Sequence, residues 1–478
     1  MKTSTQSRSF LVHLLKRKQI SEEDLVRFLD TALSRGGEFA EIFLEYRVFH
    51  SVRMEDDIIK ETAEVISQGL GVRVIHQDQT GYGYTNRLSP RAIEAAALTA
   101  AAVASGKLRL SASGSFSQPE IPQFYSSPDF DIDLEKKIGI VRQAYKAAFG
   151  TDSRIKKVNV ALVDQIQHSG IWNSLGSQAF DRKPILKLIC MAIAEQNKVK
   201  EGGYSGGGGR VGLDYFISRS PAEIGKEAAE EAATLLEARP APAGEMPVIL
   251  APGDSGVLIH EAVGHLLEAD FIRKKTSVFH DKFGQKVGSE QVNIFDDPTL
   301  PGFRGSYNLD DEGTVPQKTV LIRNGIIEGF LQDRLSAGQM KMPLTGHGRR
   351  EDYSCIPIPR MSNTYIDKGE YDPDEIIRSV SKGIYARRFQ GGQVEDSGRF
   401  TFSLSSGYRI ENGVLTAPVK QATLIGSNLD ILGKVERVGH DLEFGLQTGT
   451  CGKEGQSVPV TDGCPTIKIG RMTVGGHS

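Results

Sequence analysis

The chain has 478 residues, 24% of them charged and 39% hydrophobic, with a formal net charge of −3. No run of ~18 apolar residues occurs, so no membrane-spanning helix is predicted, and the charge balance offers no basic stripe for nucleic acid. Four scattered cysteines lack the paired spacing of a disulfide framework, and Phe10-Leu-Val-His-Leu-Leu15 is too short for a secretory core, so the cytoplasm is the expected compartment.

Length favours two domains. Residues 20–34 carry the spacing of an amphipathic helix, and strand-like runs follow at 40–47, 48–56, 70–76 and 80–85. Ser89-Pro90 opens an alanine-rich helix to about residue 104. A second round begins with a helix near 132–149, continues with strands at 156–166, 184–195 and 198–204, and closes with a helix at 221–237. Gly206-Gly-Gly-Gly209 reads as a flexible loop and not a phosphate cradle, because no Gly-Lys-Ser/Thr follows. The pattern predicts an α+β N-terminal domain over 1–238, with antiparallel meanders covered by helices. Arg239-Pro-Ala-Pro-Ala-Gly244 is the expected linker to a second domain over 245–478.

That domain opens with a buried strand, Met246–Leu250, and Gly253-Asp254-Ser255 caps a helix whose apolar face is Val257, Leu258, Ala262, Leu266, Leu267 and Phe271. On this helix lies His260-Glu-Ala-Val-Gly-His265. Imidazoles bind Zn²⁺, and an adjacent carboxylate such as Glu261 can take a proton from a water at the metal. The familiar H-E-x-x-H spacing sets the histidines four apart on one helical face. Here they are five apart, which an ideal helix would separate by ~140°. A π-bulge would return them to one face, and Gly264 is the expected place for it because it lacks a Cβ. A catalytic zinc needs a third protein ligand. Glu268 and Asp270 are candidates on the same segment, His440 is a more distant one, and Cys451, between two glycines and near Lys453, ranks first. Lys453 is placed to favour its thiolate.

The remainder reads as β-rich with two or three helices. Val320–Ile327 and Tyr408–Leu415 carry the Asn-Gly signal of hairpins. Asp372-Pro373 begins a helix that Gly383 is expected to end. Asp310-Asp311 lacks the spacing of a calcium loop and reads as a turn. Arg360, Asn363 and Tyr365 are candidates for substrate contact or for a polar support network between strands.

Several dispersed segments, in order, resemble one family. They are H-E-A-V-G-H at 260–265, D-D-E-G-T at 310–314, P-R-M-S-N-T at 359–364, G-G-Q-V-E at 391–395, Y-R-I-E-N-G at 408–413, G-T-C-G-K-E-G-Q at 449–456 and T-V-G-G at 473–476. Together they resemble the TldD/PmbA proteins, also called the modulator-of-DNA-gyrase family, and specifically the TldD branch, since the PmbA branch lacks the metal motif. Ser362 stands where that family more often has threonine, and the hydroxyl is kept. The resemblance implies a barrel-like C-terminal domain carrying the metal-binding helix. It implies Zn²⁺ held by His260, His265 and Cys451, with Glu261 as general base, and no role for Cys464. It also implies hydrolysis of unfolded or short peptides at a site enclosed by a PmbA/TldE-type sister subunit or by self-association. A nucleobase deaminase would need H-x-E with P-C-x-x-C, and neither occurs. The alternative is a regulatory or binding protein with a structural zinc, marked by a fourth ligand such as His440 or Glu268 closing the site.

Overall fold

A computed structural model describes residues 3–476 apart from 105, 107–109, 127, 129, 131–132 and 395–397, so Glu395 of the G-G-Q-V-E segment lies outside the described residues. The chain is α+β. Six antiparallel strands form the first sheet: β1 (Phe39–Glu55), β2 (Ile58–His76), β3 (Gln79–Thr85), β4 (Ile155–Asn173), β5 (Gln178–Gln196) and β6 (Val199–Gly209), in the order β3-β2-β1-β4-β5-β6. Two three-stranded meanders are thus joined along β1 and β4. The β1–β2 and β5–β6 turns hold positive φ at both central residues, Asp56-Asp57 and Asn197-Lys198, which suits the twist of the flanking strands.

Two expectations are corrected here. Residues 40–56 are not two strands, because β1 runs unbroken and pairs with β4 from Glu41 opposite Asn173 to Glu55 opposite Asn159. Gly206–Gly209 is not a flexible loop. It is the buried end of β6, opposite Leu186–Ile189, and a Cβ on Gly208 would lie 2.0 Å from the Leu186 carbonyl oxygen. Close approach requires glycine there, not mobility.

Helices α1 (Thr3–Arg17), α2 (Glu22–Leu33), α3 (Pro90–Ala101) and α4 (Leu134–Thr151), with a fifth over Pro221–Glu237, cover one face of this sheet. Capping boxes at Ser21/Asp24 and Ser220/Glu223 start two of them. Ile42 and Leu44 of β1 point into the helical layer. The alternate positions, including Glu41 and Glu45, face the C-terminal region. The Arg73 guanidinium pairs there with Glu41 at 2.8 Å and Glu312 at 2.5 Å, and all three side chains are buried. Arg73→Met removes the cation that Glu312 and Glu41 share; Glu41 keeps Arg350 at 2.6 Å, whereas buried Glu312 is left unpaired. The substitution is expected to destabilise the protein by ~3–5 kcal/mol, read as a shift in denaturant midpoint. A midpoint unchanged from wild type would show that this pair does not hold the two regions together.

In the C-terminal region, five strands close a barrel. Gly244–Leu250 pairs with Ile467–Gly475, which pairs with Ala422–Ser427, then Arg399–Glu411, then Lys382–Val394, which returns to Gly244–Leu250. Both Asn-Gly hairpins form, with positive φ at Asn324-Gly325 and Asn412-Gly413. The helix after Asp372 stops at Arg378, and Gly383 sits in a barrel strand instead of ending that helix. Beside the barrel, Asn363–Ile366 lies between Ile294–Asp296 and the parallel strand Thr461–Cys464.

Candidate metal centre

The segment after Gly244–Leu250 is a helix of changing pitch. A 3₁₀ turn at Asp254–Gly256 leads to α-turn residues Val257–Ile259, a π-helix over His260–Gly264, and a second 3₁₀ turn at His265–Leu267. The His265 N–H reaches the His260 carbonyl, five residues back. This widened turn sets the two imidazoles together, with ring centroids 5.2 Å apart and planes nearly perpendicular. Gly264 itself has ordinary helical angles, φ −56° and ψ −52°. Its lack of a side chain answers to packing, since a Cβ would lie 2.0 Å from the Met361 sulfur. Gly264→Ala is expected to cost ~1–3 kcal/mol through overpacking, seen as a lower melting temperature. Adding Met361→Ala should relieve the clash component; an equal loss with and without it would rule packing out.

Cys451 stands on the strand Thr450–Lys453, which forms a hairpin with Gln456–Pro459. The ligand atoms of His260, His265 and Cys451 all lie within 4.8 Å of one another, and the Cys451 sulfur is 3.3 Å from His265 Nε2. Each imidazole is fixed from behind through Nδ1. Asp462 holds His260 at 2.6 Å, and Glu268 holds His265 at 3.0 Å. Such carboxylate–histidine pairs set the ring orientation and leave Nε2 for a metal. Two nitrogens and a sulfur converging at this spacing, with both second nitrogens occupied by carboxylates, fit one zinc-sized ion.

The electrostatics agree with the geometry. Burial alone would raise the Cys451 thiol, yet the facing imidazoles of His260 and His265 bring it down to about 5. Burial opposes charge on His265, but Glu268 and Cys451 raise it to about 10, and His260 is held well above its ordinary value by Asp462 and Cys451. These mutual shifts favour the thiolate form of Cys451 and the charged form of the rings that face it. Lys453 does not touch that sulfur. Its ammonium pairs with Glu268 at 3.0 Å and Asp270 at 2.7 Å, and Glu268 is drawn down to about 2 against its burial by Lys453 and His265. Glu268 and Asp270 therefore sit behind the trio as supports.

Glu261 is at the rim, its side chain 37% exposed and its Oε2 3.9 Å from His265 Nε2. His440 is remote from the trio, exposed beside Asp372. Cys464 is buried 3.0 Å from the Ser255 hydroxyl, and burial pushes its thiol up to about 12. Arg360, fully buried, donates to the backbone oxygens of Cys451 and Gln456 and so braces the cysteine hairpin. Asn363 ties to Asp297 and Ser306, and Tyr365 packs tilted against Phe295 and edge-on against Phe444. Those three belong to a support network. Asp310 accepts three backbone N–H groups, as a turn residue should. Asp462 was not marked by any spacing in the sequence. Its position follows from the parallel pairing of Thr461–Cys464 with Asn363–Ile366.

Comparison with known proteins covers most of the chain. Family models described as the PmbA/TldA metallopeptidase domain 1, central domain and C-terminal domain match residues 40–104, 127–236 and 243–476. A metalloprotease TldD homolog from Haemophilus influenzae is 39% identical, covering 97% of this chain and 98% of its own. The chain belongs to the PmbA/TldD metallopeptidase family. A zinc metalloprotease TldD homolog from Saccharolobus solfataricus is 27% identical over 95% of this chain and all of that protein. The crystal structure of TldE from Thermococcus kodakarensis shares the fold, with a TM-score of 0.73, 21% identity, and coverage of 95% of this chain and 99% of that one. As a metallopeptidase of the TldD type, the chain carries its histidine pair and late cysteine within the matched C-terminal domain.

Proposed function

We propose that this TldD-type chain is a zinc-dependent peptidase, with the metal held by His260, His265 and Cys451 and with Glu261 as general base. The observation that carries this reading is the convergence of three ligand atoms within 4.8 Å beside a solvent-accessible carboxylate. Zinc, when bound, supplies a Lewis acid that acidifies a water and polarises a peptide carbonyl. Glu261 takes the proton from the attacking water and returns it to the leaving amine. Asp462 and Glu268 hold the imidazoles in the tautomer that offers Nε2.

The competing reading, a closed structural zinc, needs a fourth protein ligand. Among the described residues the group holds three ligands, with Glu268 engaged on the far nitrogen of His265 and His440 distant. That supports an open coordination position and hence catalysis. We further propose that the substrates are unfolded or short peptides and that a TldE-type sister chain, or a second copy of this one, encloses the site. Enclosure would exclude folded proteins by size. None of the described helices is long and apolar enough to cross a membrane, and the four cysteines are free, which supports a cytoplasmic setting.

The test is hydrolysis of a reduced, unfolded polypeptide by the chain alone and with a TldE-type partner, before and after chelation. Activity should vanish with the metal and return with about one zinc per chain. Undiminished hydrolysis by protein shown to be metal-free would refute the proposal.

A further inference from the structure

A cavity of about 210 Å³ lies between the first sheet and the C-terminal region, on the side of the cysteine hairpin lined by Thr450 and Ser457. Its floor is the sheet face away from the helices, where Lys187 of β5 projects. Arg210, Arg304 and Arg349 line the walls, and they are 3%, 6% and 4% exposed. Among the described residues none of these four cations forms a salt bridge, although most other buried cations of the chain do. The guanidinium groups are anchored by neutral carbonyls instead. Arg210 donates to Ser306 and Pro184, Arg349 to Met361 and Pro459, and Arg304 through Nε to Gly449. Arg304 Nη1 is buried and has no hydrogen-bond partner.

None of the three carboxylates that line the cavity pairs with these cations; Glu351 accepts from the Ser457 N–H. Asp311 is taken by Lys183 at 2.5 Å. Asp310 accepts from the backbone N–H groups of Glu312, Thr314 and Gly348, and burial, together with Glu312, raises its pKa above the ordinary carboxylate range. Burial lowers Arg304 to about 10, with Arg210 adding to the effect, and Lys187 is lowered by burial and by Arg304. Like charges brought together at such depth, with no carboxylate paired to them, are costly unless an anion joins them.

We propose that this cavity is a binding site for a compact oxyanion, a carboxylate or phosphate group, held among Lys187, Arg210, Arg304 and Arg349. Planar guanidinium groups pre-set by backbone carbonyls suit the oxygens of such a group, and charge-assisted bonds to it are strong ones. The site stands on the opposite side of the hairpin from the metal centre, since Thr450 and its neighbour Cys451 point to opposite faces of one strand. It makes no use of His260, His265 or Glu261, and the proposal stands whether or not the chain is a peptidase.

The test is calorimetric titration of the zinc-loaded full chain with inorganic phosphate at constant ionic strength, with chloride as the control. Phosphate should bind saturably, and Arg304→Gln should weaken it about tenfold or more, the loss of one charge-assisted contact. Lys187→Gln, at a half-buried position, should weaken it in the same direction and serves if the arginine variant does not fold. Unchanged affinity in a folded variant would place the phosphate at the metal or on the surface and overturn the site, as would the absence of saturable binding. Competition then identifies the source of the anion. Displacement of phosphate by a peptide with a free C-terminal carboxylate, but not by its amide, would assign the site to a chain end. Displacement by neither would assign it to free anions.

Discussion

Glu261→Gln is expected to slow peptide hydrolysis about 10²–10⁴-fold, the range for loss of a positioned general base, while zinc stays at one per chain. The substitution keeps the shape of the side chain and removes its basicity. Among the described residues Glu261 makes no hydrogen bond that braces the fold and its partly exposed carboxylate approaches only His265, so melting temperature should hold. Retained zinc with lost turnover separates a chemical role from a structural one. A variant that hydrolyses the unfolded polypeptide as fast as wild type would remove Glu261 from the mechanism and leave the metal to act with another base.

Cys451→Ala should abolish both metal retention and activity. Supporting residues around a metal ligand typically account for ~10–100-fold in affinity, and a direct ligand should account for more. The variant also removes the only anionic ligand of the trio, leaving His260 and His265 facing each other across a buried space. Their shared elevation rests partly on that sulfur, so both rings should become easier to deprotonate. Cobalt-loaded wild type should show sulfur-to-metal charge transfer that the variant lacks. Stoichiometric, tightly held zinc in Cys451→Ala would show that the metal ligand set lies elsewhere.

The parts of this molecule that were legible in its sequence are those fixed by neighbours along the chain. His260 and His265 are five apart, and that single number required the π-turn found between them. The Asn-Gly hairpins are local in the same sense. Cys451 ranked first among third-ligand candidates from its flanking glycines and Lys453, and the resemblance supported it, although 186 residues separate it from His265. Asp462 was out of reach because a lone aspartate before Gly-Cys looks like a turn, and only strand pairing with Asn363–Ile366 carries it to His260. Helix α1 was not among the expected elements, because the apolar run Phe10–Leu15 at its centre reads as a short leader-like stretch rather than as one face of a helix. The glycine run at 206–209 misled for a physical reason. Composition records freedom in the unfolded chain, whereas the neighbouring Leu186 carbonyl determines how much room the folded strand has.

The hairpin of Cys451 and the helix of the histidines meet without any strand pairing between them; the cysteine sulfur, two rings and the ion pairs of Lys453 with Glu268 and Asp270 join them. An ion at that junction would act as a rivet between segments distant in the chain. Because an unfolded chain offers no such preformed grip, occupancy and folding become linked equilibria. The resistance of the barrel to heat then becomes a gauge of the free metal around it, and starvation for that metal would loosen the protein as well as silence it.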